Sequence, residues 1–553
     1  MADRYDGVRD LDDLFDRHWR GMMEDHPETA TYLGWHEFHD RFTDLSRGAI
    51  DRRKAALHEP LDALRAIDRS TLDQAQQLSY DLFEKQVQME IDAAAFPGEL
   101  LAVDQMEGPQ NDLPFLLSAM PLQTDAHHDD YLARLRRIPD VLDQTMALLD
   151  EGIAAGVTVP AICLRDVPAQ VDAHLVDALD EVPELVPLAG SPAAVRDEAS
   201  AVVRESVQPA YQRLREYLVS TYLPAARTTI ALTALPDGEE WYAERIRHHT
   251  TTDLDASEIH AIGQSEVARI VAAMREVEAQ TDYDGDDFAA HLRTDPRFYF
   301  TSADALLAFY RDIAKRIDPA VPRLFRLMPR LPFGIVPVPP EQAPSAPAAF
   351  YLQGSLALGR PGQFFANTYD LASRPSWNME SICLHEAVPG HHFQIAIAQE
   401  LDGLPEFRRS SLHYTAYIEG WGLYCESLGP EMGMYTDPYQ RYGALDAELL
   451  RAIRLVVDTG MHALGWTREQ AIAFFEAHSP SPKHEIVSEV DRYIVLPGQA
   501  LAYKVGELKL QELRRRVLAS GAGDVRDFHD EVLRHGALPL DVLERLVVSR
   551  FGL

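Results

Sequence analysis

The sequence predicts a mostly α-helical protein with one small β-sheet. Apolar residues recur at three- and four-residue spacing over 50–92 and 196–232, with charged residues between them, which is the period of an amphipathic helix. No regular alternation of strands and helices is visible, so a doubly wound α/β sheet is disfavoured. The segment 348–369 has turn residues at Gly354 and Gly359 and predicts short strands.

Proline-rich segments interrupt the helical pattern at 183–192 and at 332–348. The second of these is predicted to cross the surface as an irregular stretch that leads into the strand region. No internal repeat of 20–50 residues is visible, which argues against a solenoid. We therefore expect one domain over 1–553, with a helical N-terminal half at 1–235 and a C-terminal half at 236–553 that carries the chemistry.

Composition excludes several classes of protein. The chain of 553 residues is 46% hydrophobic and 25% charged, which is typical of a globular protein. Its formal net charge of −35 repels phosphate backbones and anionic lipid, so neither nucleic acid nor a membrane is expected as a partner. The three cysteines cannot form a disulfide framework, and neither a secretory signal nor a transmembrane segment is visible. We therefore expect a cytoplasmic protein, and its oligomeric state is left open.

Two adjacent segments, 376–402 and 408–429, are predicted helices that together hold the side chains of a catalytic metal site. A zinc ion that hydrolyses amides needs three protein ligands and a further carboxylate that accepts a proton from water. A His-Glu pair alone is weak evidence, because it occurs several times in the chain. The side chains in question are His385, Glu386, His391, His392, Glu419 and Glu426.

The spacing of the histidines departs from the common H-E-x-x-H motif, in which they lie four residues apart. His391 follows His385 by six residues, a step that places the two rings on different faces of a straight helix. Pro389 lacks the N–H that would bond to the carbonyl of His385, and Gly390 tolerates unusual dihedral angles. We therefore predict a kink or bulge that brings His391 back towards His385. The alternative is an ordinary helix-pair core with partly exposed histidines.

The motifs HEAVPGHHFQ at 385–394 and YIEGWGLYCE at 417–426 resemble the bacterial family called domain of unknown function 885. Residues 244–266, 359–369 and 492–506 are similar to further blocks of that family. The family is similar to the gluzincin metallopeptidases, whose zinc is held by two His and a downstream Glu. The resemblance implies a large helical gluzincin-like peptidase fold with a deep cleft and a small sheet beside the metal helices.

The resemblance also implies roles for the side chains of the motif. His385, His391 and Glu419 correspond to the zinc ligands, and Glu386 to the general base. His392 is expected to lie behind the ligands or to face substrate, and the alternative is that it binds the metal in place of His391. Glu426, seven residues after Glu419 and on the same helix face, is expected to orient a ligand histidine, although a solvated carboxylate would show the same spacing.

Further candidates lie outside the metal helices. Tyr503 or Tyr493 could donate a hydrogen bond to the oxyanion of a tetrahedral intermediate, and either could equally be a core residue. Tyr503 is preferred, because Lys504 beside it could hold a substrate carboxylate. By analogy with gluzincins, the strand region could hold an extended substrate, with Asn367 adding side-chain bonds. A substrate carboxylate could be held by one of four basic residues: Arg360, Arg374, Arg492 or Lys504.

These observations predict a zinc-dependent hydrolase that cleaves short peptides, with carboxypeptidase-like polarity. Acidic residues such as Glu380 and Asp491 keep an aminopeptidase as the alternative polarity. The same ligands would also serve a zinc hydrolase or lyase acting on a non-peptide amide. A third alternative is a non-catalytic helical scaffold, which Glu386 disfavours because a structural zinc needs no general base.

Overall fold

The chain forms two compact units in this computed structural model, Met1–Trp241 and Tyr242–Leu553. The structure describes residues 4–5, 7–285, 287–339, 343, 346–356, 359–410 and 413–553. Within those ranges, no helix combines the length and the apolar character that crossing a bilayer requires.

The first unit is helical. Its longest described helix, α7, is capped by Thr124, whose hydroxyl accepts a hydrogen bond from the backbone N–H of His127. Buried apolar side chains such as Leu135 and Leu142 recur along one face of α7, which packs against α10. The helices are α1 (Leu11–Asp25), α2 (Pro27–Leu33), α3 (Arg47–Ala56), α4 (Glu59–Arg65), α5 (Gln74–Ala94), α6 (Pro109–Ala119), α7 (Asp125–Ala155), α8 (Val167–Asp172), α9 (Ala193–Val202), α10 (Gln208–Tyr217) and α11 (Leu223–Ala225).

The second unit contains the predicted metal helices. Its helices pack along one another in two long pairs, α13 with α21 and α20 with α24. The helices are α12 (Gly238–Thr250), α13 (Ala256–Glu278), α14 (Phe288–Thr294), α15 (Ala303–Ile317), α16 (Val321–Leu324), α17 (Met379–Glu386), α18 (His391–Gln399), α19 (Glu406–Arg409), α20 (Thr415–Ser427), α21 (Pro438–His462), α22 (Arg468–His478), α23 (Lys483–Val495), α24 (Ala502–Ser520), α25 (Val525–Leu533) and α26 (Leu540–Phe551).

A three-stranded sheet lies beside α17 and α18. Its strands are β1 (Phe333–Pro337), β2 (Ala349–Leu352) and β3 (Gly362–Ala366), in the order β1-β3-β2. The central strand β3 is parallel to β1 and antiparallel to β2. The prediction of a mostly α-helical fold with one small sheet beside the metal helices is confirmed. Ala357 and Leu358, within the predicted strand region, lie outside the described residues.

One strand was predicted wrongly. Residues 333–337 were expected to be irregular because prolines surround them, yet they form β1. A proline is tolerated in an edge strand, where its missing N–H can face away from the ladder. Since β1 pairs only with β3 in the described sheet, Pro337 can close the strand without leaving a hydrogen bond of a central ladder unmade.

Candidate metal centre

The predicted helix over 376–402 is divided into two helices. α17 ends at Glu386 and α18 begins at His391, so the expected kink is a complete break. The Val388–Pro389 peptide bond between them is cis. A side chain at Gly390 would place its Cβ 1.8 Å from the carbonyl oxygen of His385, so only glycine allows the chain to turn this closely.

The loop between the two helices is anchored on α20. The indole N–H of Trp421 donates a hydrogen bond of 2.8 Å to the carbonyl oxygen of Pro389, and the thiol of Cys425 donates to the same oxygen over 3.3 Å. Trp421 and Cys425 lie one helical turn apart on α20, the helix that also carries Glu419. The break and the third predicted ligand therefore belong to one packed unit.

Three donor groups converge at this break. The Nε2 atoms of His385 and His391 lie 3.5 Å and 3.3 Å from Oε2 of Glu419. One ligand atom from each of the three side chains lies within 4.8 Å of the other two. In the part of the chain that the structure describes, no other group of three His, Cys, Asp or Glu side chains meets this criterion.

The other ring nitrogen of His385 is held by a carboxylate. Its Nδ1 atom lies 2.8 Å from Oε1 of Glu426, which is buried, so a carboxylate fixes the orientation of the imidazole. Burial lowers the pKa of His385, but hydrogen bonds to Glu419 and Glu426 outweigh burial and raise this pKa to about 9. Burial raises the pKa of Glu419, but the charges and hydrogen bonds of His391 and His385 hold it well below its ordinary value.

The imidazole of His385 reaches Glu426 because α20 has no side chain at Gly422. A Cβ at this position would lie 2.7 Å from the His385 ring, closer than any ordinary contact. The absence of a side chain lets α17 approach α20 and places His385 between Glu419 and Glu426.

Glu386 ends α17 directly after His385. Its side chain is partly exposed, and no hydrogen bond or ion pair joins its carboxylate to any described residue. Glu386 thus follows a residue of the donor cluster directly in the chain. Its role as a general base stays a prediction.

His392 points towards the sheet and not towards the donor cluster. Its Nδ1 lies 3.1 Å from the hydroxyl of Tyr351 on β2, and its ring packs 4.7 Å from that of Phe333 on β1. Burial lowers the pKa of His392 to about 4, which keeps the ring neutral. The side chain contacts neither the predicted ligands nor open solvent, so the structure gives it a place in the packing between α18 and the sheet.

The two predicted tyrosines have different environments. The ring of Tyr503 stacks on that of His385 with 6.5 Å between centroids, and no hydrogen bond from its hydroxyl to a described residue is found. Tyr493 is buried, donates a hydrogen bond to Glu489 and accepts one of 3.0 Å from Nε of Arg454. The prediction that Tyr493 serves an oxyanion is therefore wrong, because its hydroxyl is already bound on both sides.

Lys504 does not hold a substrate carboxylate, contrary to our prediction. Its side chain is fully buried, and its Nζ lies 2.6 Å from Glu507, 2.6 Å from Glu448 and 3.0 Å from Glu266. Three carboxylates match the three N–H donors of the ammonium group. Lys504 therefore joins α13, α21 and α24, and its charge is not available to a ligand.

Asn367 binds its own loop, which corrects the expectation that it would bind substrate. Its Nδ2 donates to the carbonyl oxygens of Ala343, Ala346 and Pro347, and its Oδ1 accepts a hydrogen bond from the backbone of Tyr369. Both ends of the amide are thus used.

The remaining predicted cations differ in how firmly they are held. Arg492 donates a hydrogen bond of 2.9 Å to Gln499. The backbone of Arg360 pairs with Ser355 in the turn before β3, and its buried Nε has no hydrogen-bond partner among the described residues. Arg374 binds Ser373, and its Nε is likewise buried without a partner there.

Two arginines of α21 were missed by the sequence analysis. The guanidinium carbon of Arg454 lies 4.7 Å from the centre of the Tyr503 ring, and that of Arg451 lies 5.9 Å from it. Arg451 also lies 3.6 Å from Oε1 of Glu426. No motif marks these residues, because α21 follows the metal helices without a predicted ligand of its own. The only available signal was two arginines three residues apart in the stretch 449–457 of this helix, which is otherwise apolar.

Solved structures with the same fold are known. A crystal structure of a proposed lipoprotein from Colwellia psychrerythraea is 27% identical to this chain, superposes with a TM-score of 0.91 and matches over 98% of both chains. A proposed lipoprotein of unknown function from Shewanella oneidensis is 16% identical, with a TM-score of 0.69, over 98% of this chain and 100% of the other. No curated protein matches the chain.

These similarities contradict the prediction of a cytoplasmic protein. Both similar structures are described as lipoproteins, a class that carries a covalently attached lipid. The prediction relied on the small number of cysteines. A chain with a large hydrophobic core needs no disulfides for stability, so their absence does not report the compartment.

The match to a protein family agrees with the resemblance seen in the sequence. The family model extends over residues 27–547, which includes both metal helices, the sheet and the helices behind them. The chain therefore belongs to the family described as "Bacterial protein of unknown function (DUF885)".

Proposed function

We propose that this protein is a zinc-dependent hydrolase that cleaves the amide bonds of short peptides. The observation that carries the proposal is the convergence of His385, His391 and Glu419. His385 is directly followed in the chain by a carboxylate, Glu386, that makes no ion pair with a described residue. Two imidazoles and one carboxylate are a common ligand set of hydrolytic zinc sites.

The spacing of the donors fits a zinc ion. Ligands at 2.0–2.2 Å in a tetrahedral arrangement lie roughly 3.4 Å from one another. The two distances from Glu419 to the histidines are 3.5 Å and 3.3 Å. Glu426 behind His385 supplies the carboxylate that commonly orients a zinc-binding histidine.

Each group near the centre would have a separate task. Zinc held there would supply Lewis acidity, which polarises a carbonyl and makes water easier to deprotonate. Glu386 would accept the proton of the attacking water and return it to the leaving amine. Tyr503 would donate a hydrogen bond from its phenolic O–H to the developing oxyanion, since this hydroxyl has no hydrogen-bond partner among the described residues.

The proposal includes carboxypeptidase-like polarity. Of the basic residues predicted to hold a substrate carboxylate, Lys504 is excluded by burial. Arg360 and Arg374 support the proposal, because each has a buried Nε without a partner among the described residues, and guanidinium groups form paired hydrogen bonds with carboxylates.

Metal content and peptide cleavage test the proposal together. We expect about one zinc per chain in the purified protein. The variant Glu419→Ala should lose most of it, whereas Glu431→Ala, an exposed change just after α20, should retain it. Full retention of zinc by Glu419→Ala would contradict the ligand assignment.

Blocked peptides test the polarity. A short peptide acetylated at its N-terminus should be cleaved, and the same peptide amidated at its C-terminus should resist. The reverse result would indicate an aminopeptidase. If the zinc-loaded protein cleaves neither these nor the unblocked peptide, a non-peptide amide becomes the better substrate class.

A further inference from the structure

Arg451 lies behind the metal centre, on a helix that supplies no ligand. Its Nη2 atom is 3.6 Å from Oε1 of Glu426, and that same oxygen is 2.8 Å from Nδ1 of His385. Glu426 therefore lies between a cation and a proposed ligand. Since the Arg451 side chain is only 16% exposed, solvent screens this charge pair weakly.

Arg451 and Glu426 each have one buried polar atom that makes no hydrogen bond to a described residue. Nε of Arg451 and Oε2 of Glu426 are both buried, and neither has a hydrogen-bond partner among the described residues. A guanidinium group and a carboxylate can form two parallel hydrogen bonds, and a buried donor and acceptor are costly to leave unpaired. A small shift, or one bridging water, would satisfy both atoms at once.

Arg451 also contacts the proposed oxyanion donor. Its guanidinium carbon lies 5.9 Å from the centre of the Tyr503 ring, within the range of a cation–π interaction. The Tyr503 ring in turn stacks on that of His385. One side chain thus contacts both groups that flank the His385 imidazole, Glu426 on its Nδ1 side and Tyr503 on its face.

We propose that Arg451 is a positioning residue of the metal centre, which holds Glu426 and Tyr503 in the places from which they fix His385. The inference rests on the metal site of the proposed function and assigns to α21 a task that no ligand pattern shows. A substitution at Arg451 should weaken metal binding through His385 without removing a ligand.

The affinity for metal measures this role without relying on activity. Zinc affinity is measured by competition with a chromogenic chelator, and the ligand geometry from the visible spectrum of the cobalt-substituted protein. We expect Arg451→Met to lower zinc affinity about 10–100-fold, as is typical for a group behind the ligands, and to change the cobalt spectrum. Arg451→Lys should recover only part of the loss. Lysine keeps the positive charge, but it lacks the planar guanidinium group that forms paired hydrogen bonds with a carboxylate. Arg441→Met, at an exposed position of the same helix, is the control and should match the wild type.

A double variant tests whether the effect passes through Glu426. If Arg451 acts by holding Glu426, the loss of affinity in Arg451→Met/Glu426→Gln should not exceed that of the worse single variant. Fully additive losses would overturn the proposed route. Thermal unfolding of the metal-free variants tests whether Arg451 has a purely structural role. Such a role would lower the thermal stability and leave the zinc affinity of the folded protein unchanged.

The outcomes distinguish this inference from the proposed function. Wild-type affinity and an unchanged cobalt spectrum in Arg451→Met would overturn the role of Arg451 alone. A wild-type protein that binds zinc but cleaves no amide would overturn the hydrolase and leave the positioning role supported by the affinity data. A wild-type protein that takes up neither metal would overturn both.

Discussion

The second unit contains two clusters of charged side chains, one around Glu419 and one around Lys504. At the first, Glu419 meets the imidazoles of His385 and His391, and among the described residues it pairs with no lysine or arginine. At the second, the ammonium group of Lys504 lies among three carboxylates. Both clusters gather acidic oxygens in the protein interior, where unpaired charge is costly.

The difference lies in how the charge is balanced. In the second cluster the chain supplies its own cation and every N–H of Lys504 has a carboxylate partner, so the cluster can only contribute to structure. In the first cluster the partners are imidazoles, which can bind a metal when neutral. Of two clusters with a similar density of charge, one therefore offers donors that could hold a metal ion, and the other pairs its own charges.

Substitutions at two adjacent histidines, His391 and His392, should differ most in their effect on zinc binding. His391→Ala should remove a ligand and reduce zinc affinity by more than the roughly 10–100-fold typical of groups behind the ligands. His392→Ala should leave zinc content unchanged, because the His392 ring contacts Tyr351 and Phe333 on the sheet. Elemental analysis of both purified variants makes the comparison, and zinc loss in His392→Ala alone would reverse the assignment.

The next effect separates metal binding from proton transfer. Glu386→Gln should keep its zinc and its fold but lose about 10²–10⁴-fold in kcat, the usual contribution of a positioned general base. Steady-state kinetics on a cleaved peptide, with zinc content measured on the same sample, provides the measurement. Turnover at the wild-type rate would make Glu386 an ordinary helix residue.

The Lys504 cluster should respond in the opposite way. Lys504→Met leaves three carboxylates without their buried cation and should cost about 3–5 kcal/mol of unfolding free energy. Lys509→Met on the same helix removes a more exposed pair with Glu544 and should cost about 0–1 kcal/mol. Urea unfolding of both variants compares them. Loss of zinc from folded Lys504→Met would show that the clusters are not independent.

A third buried acidic group, Asp458, has neither a cation nor an imidazole as a described partner. Asp458 accepts hydrogen bonds from the hydroxyl of Tyr242 at 2.6 Å and from the backbone of Gly498, and no ion pair to a described residue is found. Burial raises its pKa from 3.8 to about 7, although the bonds from Tyr242 and Gly498 lower it. The folded state thus binds the proton more tightly than the unfolded state, and its contribution to stability is present below pH 4 and lost as the pH rises through 7.

Asp458→Asn should remove this pH dependence. At pH 4 the variant should be about as stable as the wild type. At pH 8 its free energy of unfolding should be higher by about 4 kcal/mol, since a rise of roughly three pKa units corresponds to about 1.4 kcal/mol for each unit. Unfolding curves at both pH values give the result, and equal stability differences at the two would show that Asp458 does not titrate in this range.

The candidate metal cluster was predictable because its components are close in sequence. His385, Glu386 and His391 lie within seven residues, Glu419 is on the following long helix, and Pro389–Gly390 marks the break between the histidines. The break was expected as a kink because the covalent structure of proline removes a helical hydrogen bond wherever it occurs. No local pattern shows that the break would separate α17 from α18 completely. This separation depends on the contacts of Trp421 and Cys425 with the loop between the two helices.

The surroundings of the centre could not be predicted in the same way. Lys504 and Tyr493 were predicted to be available to a substrate because a sequence shows a side chain and not its partners. Their partners Glu266, Glu448 and Arg454 come from other helices, far away along the chain. Arg451 was missed for the same reason, since its importance lies entirely in its distance from Glu426 and Tyr503.

By itself, the sequence determined the helical character of this protein, the ligand inventory and the position of the break, because each depends on periodicity or on the covalent chemistry of neighbouring residues. Which charged groups are paired depends on the tertiary structure. Glu386 has no ion-pair partner among the described residues, whereas Lys504 is surrounded by carboxylates from α13, α21 and α24. The physical reason is that burial and ion pairing depend on which helices pack together, and packing joins residues that are distant in the chain.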